Sequence, residues 1–127
     1  MFELTIDGVV YQFKFGLGFA REISKTRKVK GENGEAQDMG LQFAVASLID
    51  EDPVALVDIL DLANKTENPR VTRAMLDRYI EDENTNITQI FAELLDFFER
   101  NNSTKKATEN MKKFVEEQRK KAEAEIN

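Results

Sequence analysis

The sequence predicts a mainly helical α+β fold, with an N-terminal β-hairpin packed on about five or six helices. Three observations carry this. An Asp-Gly pair separates two β-rich runs at the start, apolar residues recur with helical spacing from residue 41 onward, and helix-start signals precede several of those stripes.

In the first run Phe2, Leu4 and Ile6 alternate with Glu3 and Thr5. Asp7-Gly8 follows, then Val10-Tyr11-Gln12-Phe13-Lys14-Phe15. A type I′ turn needs positive φ at both central residues, and Asp-Gly is among the pairs that tolerate it. A lone two-stranded hairpin is marginal in water, so its apolar face must pack on something, and the helices are the obvious candidate. Gly16-Leu17-Gly18 breaks the strand pattern as a strand-to-helix turn, and Phe19, Ala20 and Ile23 mark a short helix. Residues 30–40 (KGENGEAQDMG) are polar with three glycines and read as a loop.

Leu41, Ala44, Val45, Leu48 and Ile49 then restore helical periodicity. Asp52-Pro53 combines an N-cap acceptor with a proline at the first helical position. Val54, Leu56, Val57, Ile59, Leu60 and Ala63 make the following helix apolar around more than half its circumference, which places it centrally. Beyond Asn68-Pro69, Thr72 caps the next helix, with Val71 and Leu76 spaced as a hydrophobic staple. Met75, Leu76, Tyr79 and Ile80 form its stripe, and acidic residues 81–83 end it. Asn86 opens the cleanest segment: Ile87, Ile90, Phe91, Leu94, Leu95 and Phe98 share one face, while Phe97 lies off it and should meet a neighbouring element.

After Asn101-Asn102-Ser103 the character changes. Ala107, Met111, Phe114, Val115, Ala122 and Ile126 form one thin stripe in a charged segment, with Glu116–Lys120 and Glu117–Lys121 at i, i+4 spacing. This divides the chain into a hairpin-plus-helical core over 1–102 and a charged helix or partly disordered tail over 103–127. So narrow an apolar face implies a helix that is frayed or docked.

Composition excludes several function classes. The 127 residues contain no Cys, His or Trp, so disulfides, thiolate metal sites and the commonest general base are absent. Formal charge is −6, unevenly spread. Residues 1–100 carry 11 Lys and Arg against 19 Asp and Glu, whereas residues 101–127 carry 7 against 5. An acidic body argues against nucleic acid as ligand, since phosphate neutralisation supplies most non-specific affinity. The basic cluster Arg21, Lys25, Arg27, Lys28 and Lys30 reads as a solvated helix end and loop, with a partner patch as the alternative. The start of the chain lacks a basic-then-apolar stretch, so no signal peptide is expected. The apolar runs fall far short of the ~20 residues that span a bilayer, so neither a membrane nor a membrane partner is expected.

Catalytic patterns fail at named positions. Asp50, Glu51 and Asp52 sit at a helix junction, where carboxylates favour the next N-terminus, and Glu81, Asp82 and Glu83 read the same way. A nucleotide fingerprint starting at Gly16 and Gly18 would need a third glycine where Arg21 stands. The loop at 31–40 lacks the ligand spacing of a calcium loop. No catalytic residue, cofactor or metal site is expected.

Several segments together resemble one family. The order runs Phe15-Gly16-Leu17-Gly18-Phe19-Ala20-Arg21-Glu22, Gly40-Leu41, Asp52-Pro53 with Leu56 and Ile59-Leu60, Tyr79-Ile80-Glu81, Asp96-Phe97-Phe98-Glu99 and Asn102-Ser103-Thr104-Lys105-Lys106. In this order and spacing, after a short hairpin, the chain resembles the phage tail assembly chaperones of Gram-positive siphophages and prophages over about residues 1–106. Asn101-Asn102 departs from the Ser-Asn expected there. The resemblance implies an assembly factor of the host bacterial cytoplasm, absent from the finished virion. Such a factor binds the tape-measure protein while tail-tube subunits polymerise around it, and it self-associates. It also implies a longer form made by translational frameshifting. A structural tail component retained in the virion is the alternative. Candidate partner-binding residues are Phe97 and Phe98 at the end of the acidic-aromatic helix, and Met111, Phe114 and Val115 beyond it. For Phe97 the alternative is core packing, and for the terminal stripe it is docking on the chain's own body.

Overall fold

The computed structural model describes residues 1–126. Strand β1 (Phe2–Ile6) pairs antiparallel with β2 (Val9–Phe13), placing Phe2 opposite Phe13 and Ile6 opposite Val9. Asp7 and Gly8 both take positive φ, 51° and 79°, as the Asp-Gly turn requires. Alternation buries Phe2, Leu4, Ile6, Tyr11 and Phe13 on one face. That face packs on helices, so the mainly helical α+β prediction holds.

Six helices follow: α1 (Leu17–Ser24), α2 (Gly40–Ile49), α3 (Pro53–Asn64), α4 (Arg73–Glu81), α5 (Ile87–Arg100) and α6 (Lys105–Ile126). The caps read from the sequence form. Asp52 accepts hydrogen bonds from the Val54 and Ala55 amides, Thr72 from Met75 and Asn86 from Gln89, each satisfying a donor the helix leaves unpaired. Val71 and Leu76, on either side of the Thr72 cap, are both fully buried. Helix α3 contributes Leu56, Val57, Ile59, Leu60 and Ala63 to the core and packs on α1, α2, α4 and β2.

The segment read as a loop at 30–40 is a second hairpin. Strands β3 (Lys28–Lys30) and β4 (Ala36–Asp38) pair antiparallel, joined by a turn with Gly34 at φ 83°. All six strand residues are exposed, and Lys28 pairs with Asp38 across the ladder at 2.7 Å. No buried face imposes a period-two pattern there, so the sequence carries no strand signal. Of the loop's three glycines, Gly40 belongs to α2.

Polar side chains tie distant segments. Asn64 is fully buried: its Nδ2 donates to the carbonyls of Gln12 and Pro69 at 2.9 and 3.2 Å, and its Oδ1 accepts from the Val71 amide at 2.7 Å. The Lys14 amide donates to the Ala63 carbonyl at 2.8 Å beside it. Together they fasten the hairpin to the end of α3.

Candidate partner-binding surface

The surface begins where the hairpin meets α5. Phe15 stacks edge-on against Phe19 and Phe98, with ring centroids 4.8 and 5.0 Å away, and Phe97 lies 6.0 Å from Phe2. Edge-to-face pairs at such distances add stabilisation beyond area burial. Phe98 is fully buried, whereas Phe97 is half-buried at the border of the cluster. Phe98 follows the α5 stripe into the core, so in this fold it is closed to a partner.

The chain then turns at Asn101, whose Nδ2 donates to the Phe15 carbonyl at 2.6 Å, 86 residues away in sequence. Thr104 Oγ1 donates to the Phe98 carbonyl at 2.8 Å, capturing one of the carbonyls that α5 leaves open at its end. One turn later Thr108 Oγ1 donates to the Thr104 carbonyl at 2.8 Å. Thr104 and Thr108 are both fully buried, and Lys112 is ion-paired with Glu99 of α5.

Helix α6 leaves this root lying against α2 and α5. Ala107 and Met111 are half-buried against the core, Val115 is half-buried one turn further on, and Phe114 is 54% exposed. Every described residue after Val115 is exposed. Along this arm the ion pairs run from Arg119 to Glu116 at 2.6 Å and to Glu123 at 3.3 Å, in place of the expected Glu–Lys pairs. The hydrogen bond from Arg119 holds the Glu116 carboxyl below the usual carboxylate range.

The predicted residues therefore divide. Phe98 is core, Phe97, Met111 and Val115 are half-buried, and Phe114 faces solvent. Sequence reasoning gave no structural role to Asn101, Thr104 and Thr108, which position the start of α6. Asn101 and Thr104 entered only as parts of the family pattern.

Two shallower features lie elsewhere. A groove of about 450 Å³ between α3 and α4 has Pro53, Val54, Val57 and Ile80 along it, with Val54 72% exposed. Arg73 bridges Asp58 and Asp61 at its rim, and the Asp58 hydrogen bond holds the guanidinium more firmly protonated than usual. A second groove, of about 460 Å³, runs between α1 and the end of α3 past Lys14, Arg21, Lys25 and Lys65. Of the basic cluster, Arg27 lies over the Phe43 ring at 4.5 Å. Tyr79 in α4 has its phenol pushed above the ordinary tyrosine range, by burial first and by the Glu93 carboxylate second.

Among the described residues no group of three or more Asp or Glu side chains is placed to hold a metal ion, and no helix is long and apolar enough to cross a membrane. A family model described as phage tail assembly chaperone protein, TAC, matches residues 3–113. The chain belongs to that family. Comparison with curated proteins and with solved structures gave no significant match. The matched region takes in the docked half of α6 and ends just before Phe114.

Proposed function

We propose that this chaperone binds the tape-measure protein in the host bacterial cytoplasm, keeps it soluble while tail-tube subunits assemble on it, and is left out of the finished virion. It acts by binding and carries out no catalysis. Copies of the chain associate with one another along the bound partner.

The observation that favours this reading is the border at Met111, Phe114 and Val115. There an amphipathic helix leaves the body with a large aromatic ring in solvent. A partner whose own helices carry apolar stripes can cover such a face, and the charged arm and acidic body keep the complex soluble. Phe97, half-buried beside Phe2 and Phe15, is a further candidate contact. Coexpression of the tape-measure protein with the full chain, the F114A variant or a chain ending at Asn102 tests it. Capture of the tape-measure protein by the full chain, reduced with either variant, supports the role of α6. Unchanged capture by the truncated chain removes it. Mass spectrometry of purified particles checks the rest, because the chain's presence there would make it a structural tail component.

A further inference from the structure

We propose that the basic groove between α1 and the end of α3 receives the acidic α2–α3 corner of a second copy, so that copies join head to tail. The contact rests on the association of copies proposed above and not on the identity of the bound partner.

The groove is out of keeping with the rest of the chain. Net charge is −6, yet Lys14, Arg21, Lys25 and Lys65 line this one groove against a single carboxylate, Glu22. That carboxylate lies 3.3 Å from Lys65. Among the described residues Lys14, Arg21 and Lys25 have no ion-pair partner, and all three are exposed. Arg21 and Lys25 stand one turn apart on α1, where like charges repel. Leu62, half-buried, adds an apolar side chain to the lining. A ligand matched to this groove carries two or three carboxylates beside a small apolar group.

The chain presents such a group at the other end of α3. Asp50, Glu51, Asp52, Pro53 and Val54 are five consecutive exposed residues at the turn from α2 into α3. Asp50 and Glu51 also have no ion-pair partner among the described residues, and Val54 is 72% exposed. Asp77 and Glu81 of α4 border the groove beside Pro53 and Val54, which adds to the negative charge there.

Within one chain the two surfaces are kept apart, because the twelve residues of α3 extend about 18 Å between them. Between two chains they can meet. Opposite charge orients the approach, while corner against corner or groove against groove is repelled. The contact joins different surfaces of identical copies, so each docking leaves one corner and one groove free. Growth then continues until a ring closes or a filament forms. Neither surface includes a residue of α6, so the proposed partner-binding residues stay out of the contact.

Light scattering after size exclusion, over a range of protein and salt concentrations, reads the assembly. The full chain should exceed its monomer mass of 14.6 kDa at low salt and fall toward it at high salt. R21E/K25E reverses the groove and D50K/E51K reverses the corner, all at exposed positions. Each variant alone should need about tenfold more protein to assemble, because attractions become repulsions. Mixed in equal amounts, the two should assemble as the unaltered chain does. The lysine corner then meets the glutamate groove, and the remaining acidic corner meets the remaining basic groove. Assembly that ignores both reversals would overturn the proposal and leave association to another face. Loss in each variant without restoration on mixing, with circular dichroism and melting unchanged, would overturn the pairing of these surfaces. A chain that is monomeric under every condition would overturn the association of copies as well. If R21E/K25E assembles normally but no longer captures the tape-measure protein, the groove belongs to that partner, and the second copy is overturned as its occupant. If the charge swap restores assembly while no form captures the tape-measure protein, the contact stands and the tape-measure reading falls.

Discussion

Gly40 stands against the carbonyl oxygen of Ile23, so close that a β-carbon on Gly40 would overlap it, with Thr26 Oγ1 2.7 Å from the same point. The end of α1 and the start of α2 meet there backbone to backbone. The Thr26 hydroxyl and amide both donate to the Ile23 carbonyl, at 2.6 and 3.1 Å, which fixes the oxygen in place. Gly40→Ala should cost about 3 kcal/mol, the upper end for overpacking, because main chain must move. Urea unfolding of G40A would show it as a lowered midpoint.

Asn64 is the polar counterpart. Asn64→Ala leaves the Val71 amide and the Gln12 carbonyl without their buried partner, at a cost of about 2–4 kcal/mol for two unsatisfied groups. Asn64→Asp keeps the acceptor for Val71 and removes the donor to Gln12. Thermal melting should place N64D at or below the parent, and amide exchange should quicken at the end of β2 in both variants.

Glu51 sits between α2 and α3 at φ 55°, in the left-handed region. Glycine adopts that conformation without the steric cost an L side chain meets. Glu51→Gly should therefore stabilise the protein by about 1 kcal/mol, less what the more flexible unfolded chain takes back. A raised urea midpoint with an unchanged slope is the expected result.

Tyr79 predicts a pH dependence. Burial favours the neutral phenol, so the folded pKa lies above the unfolded one. The stability this contributes is fully present below the unfolded value and is lost as pH rises through the folded one. Above about pH 10 the protein should lose stability through this group, and Tyr79→Phe should flatten that limb. Melting temperatures from pH 8 to 11, compared between parent and variant, check the sign.

The phenylalanines near α6 separate fold from binding. Phe98→Ala should cost about 3–5 kcal/mol, as a fully buried aromatic does. Phe114→Ala, at a 54% exposed position, should change stability by less than about 0.5 kcal/mol while reducing partner capture. Melting and pull-down on the same preparations distinguish the two.

Local signals made most of the fold legible. Asp7-Gly8, Asp52-Pro53, Thr72 and Asn86 act within a few residues of themselves, and each does in the structure what its chemistry implies. The stripe from Ile87 to Phe98 marks the buried face of α5, and following it strictly puts Phe98 inside, which outweighs its candidacy as a partner contact. The second hairpin escaped because Lys28-Val29-Lys30 and Ala36-Gln37-Asp38 have no buried side to write into their pattern. Asn64, Asn101 and Thr104 escaped for another reason. Each bonds a main-chain carbonyl, at Gln12, Phe15 or Phe98, and no side-chain spacing shows where a carbonyl will come to lie. The candidate surface was therefore legible in its apolar residues, but not in the polar ones that aim it.

The exposed arm from Glu116 to Ile126 also bears on encounter. Eleven residues of helix extend about 16 Å, more than the ~13 Å radius of gyration expected of a 100-residue body. The arm thus widens the target an approaching partner must strike without enlarging the body that holds it. It carries acids at both ends and Arg119, Lys120 and Lys121 between them, so it has no strong polarity to select among charged partners. First contact through such a tether should depend little on ionic strength, leaving discrimination to the slower fit at the root.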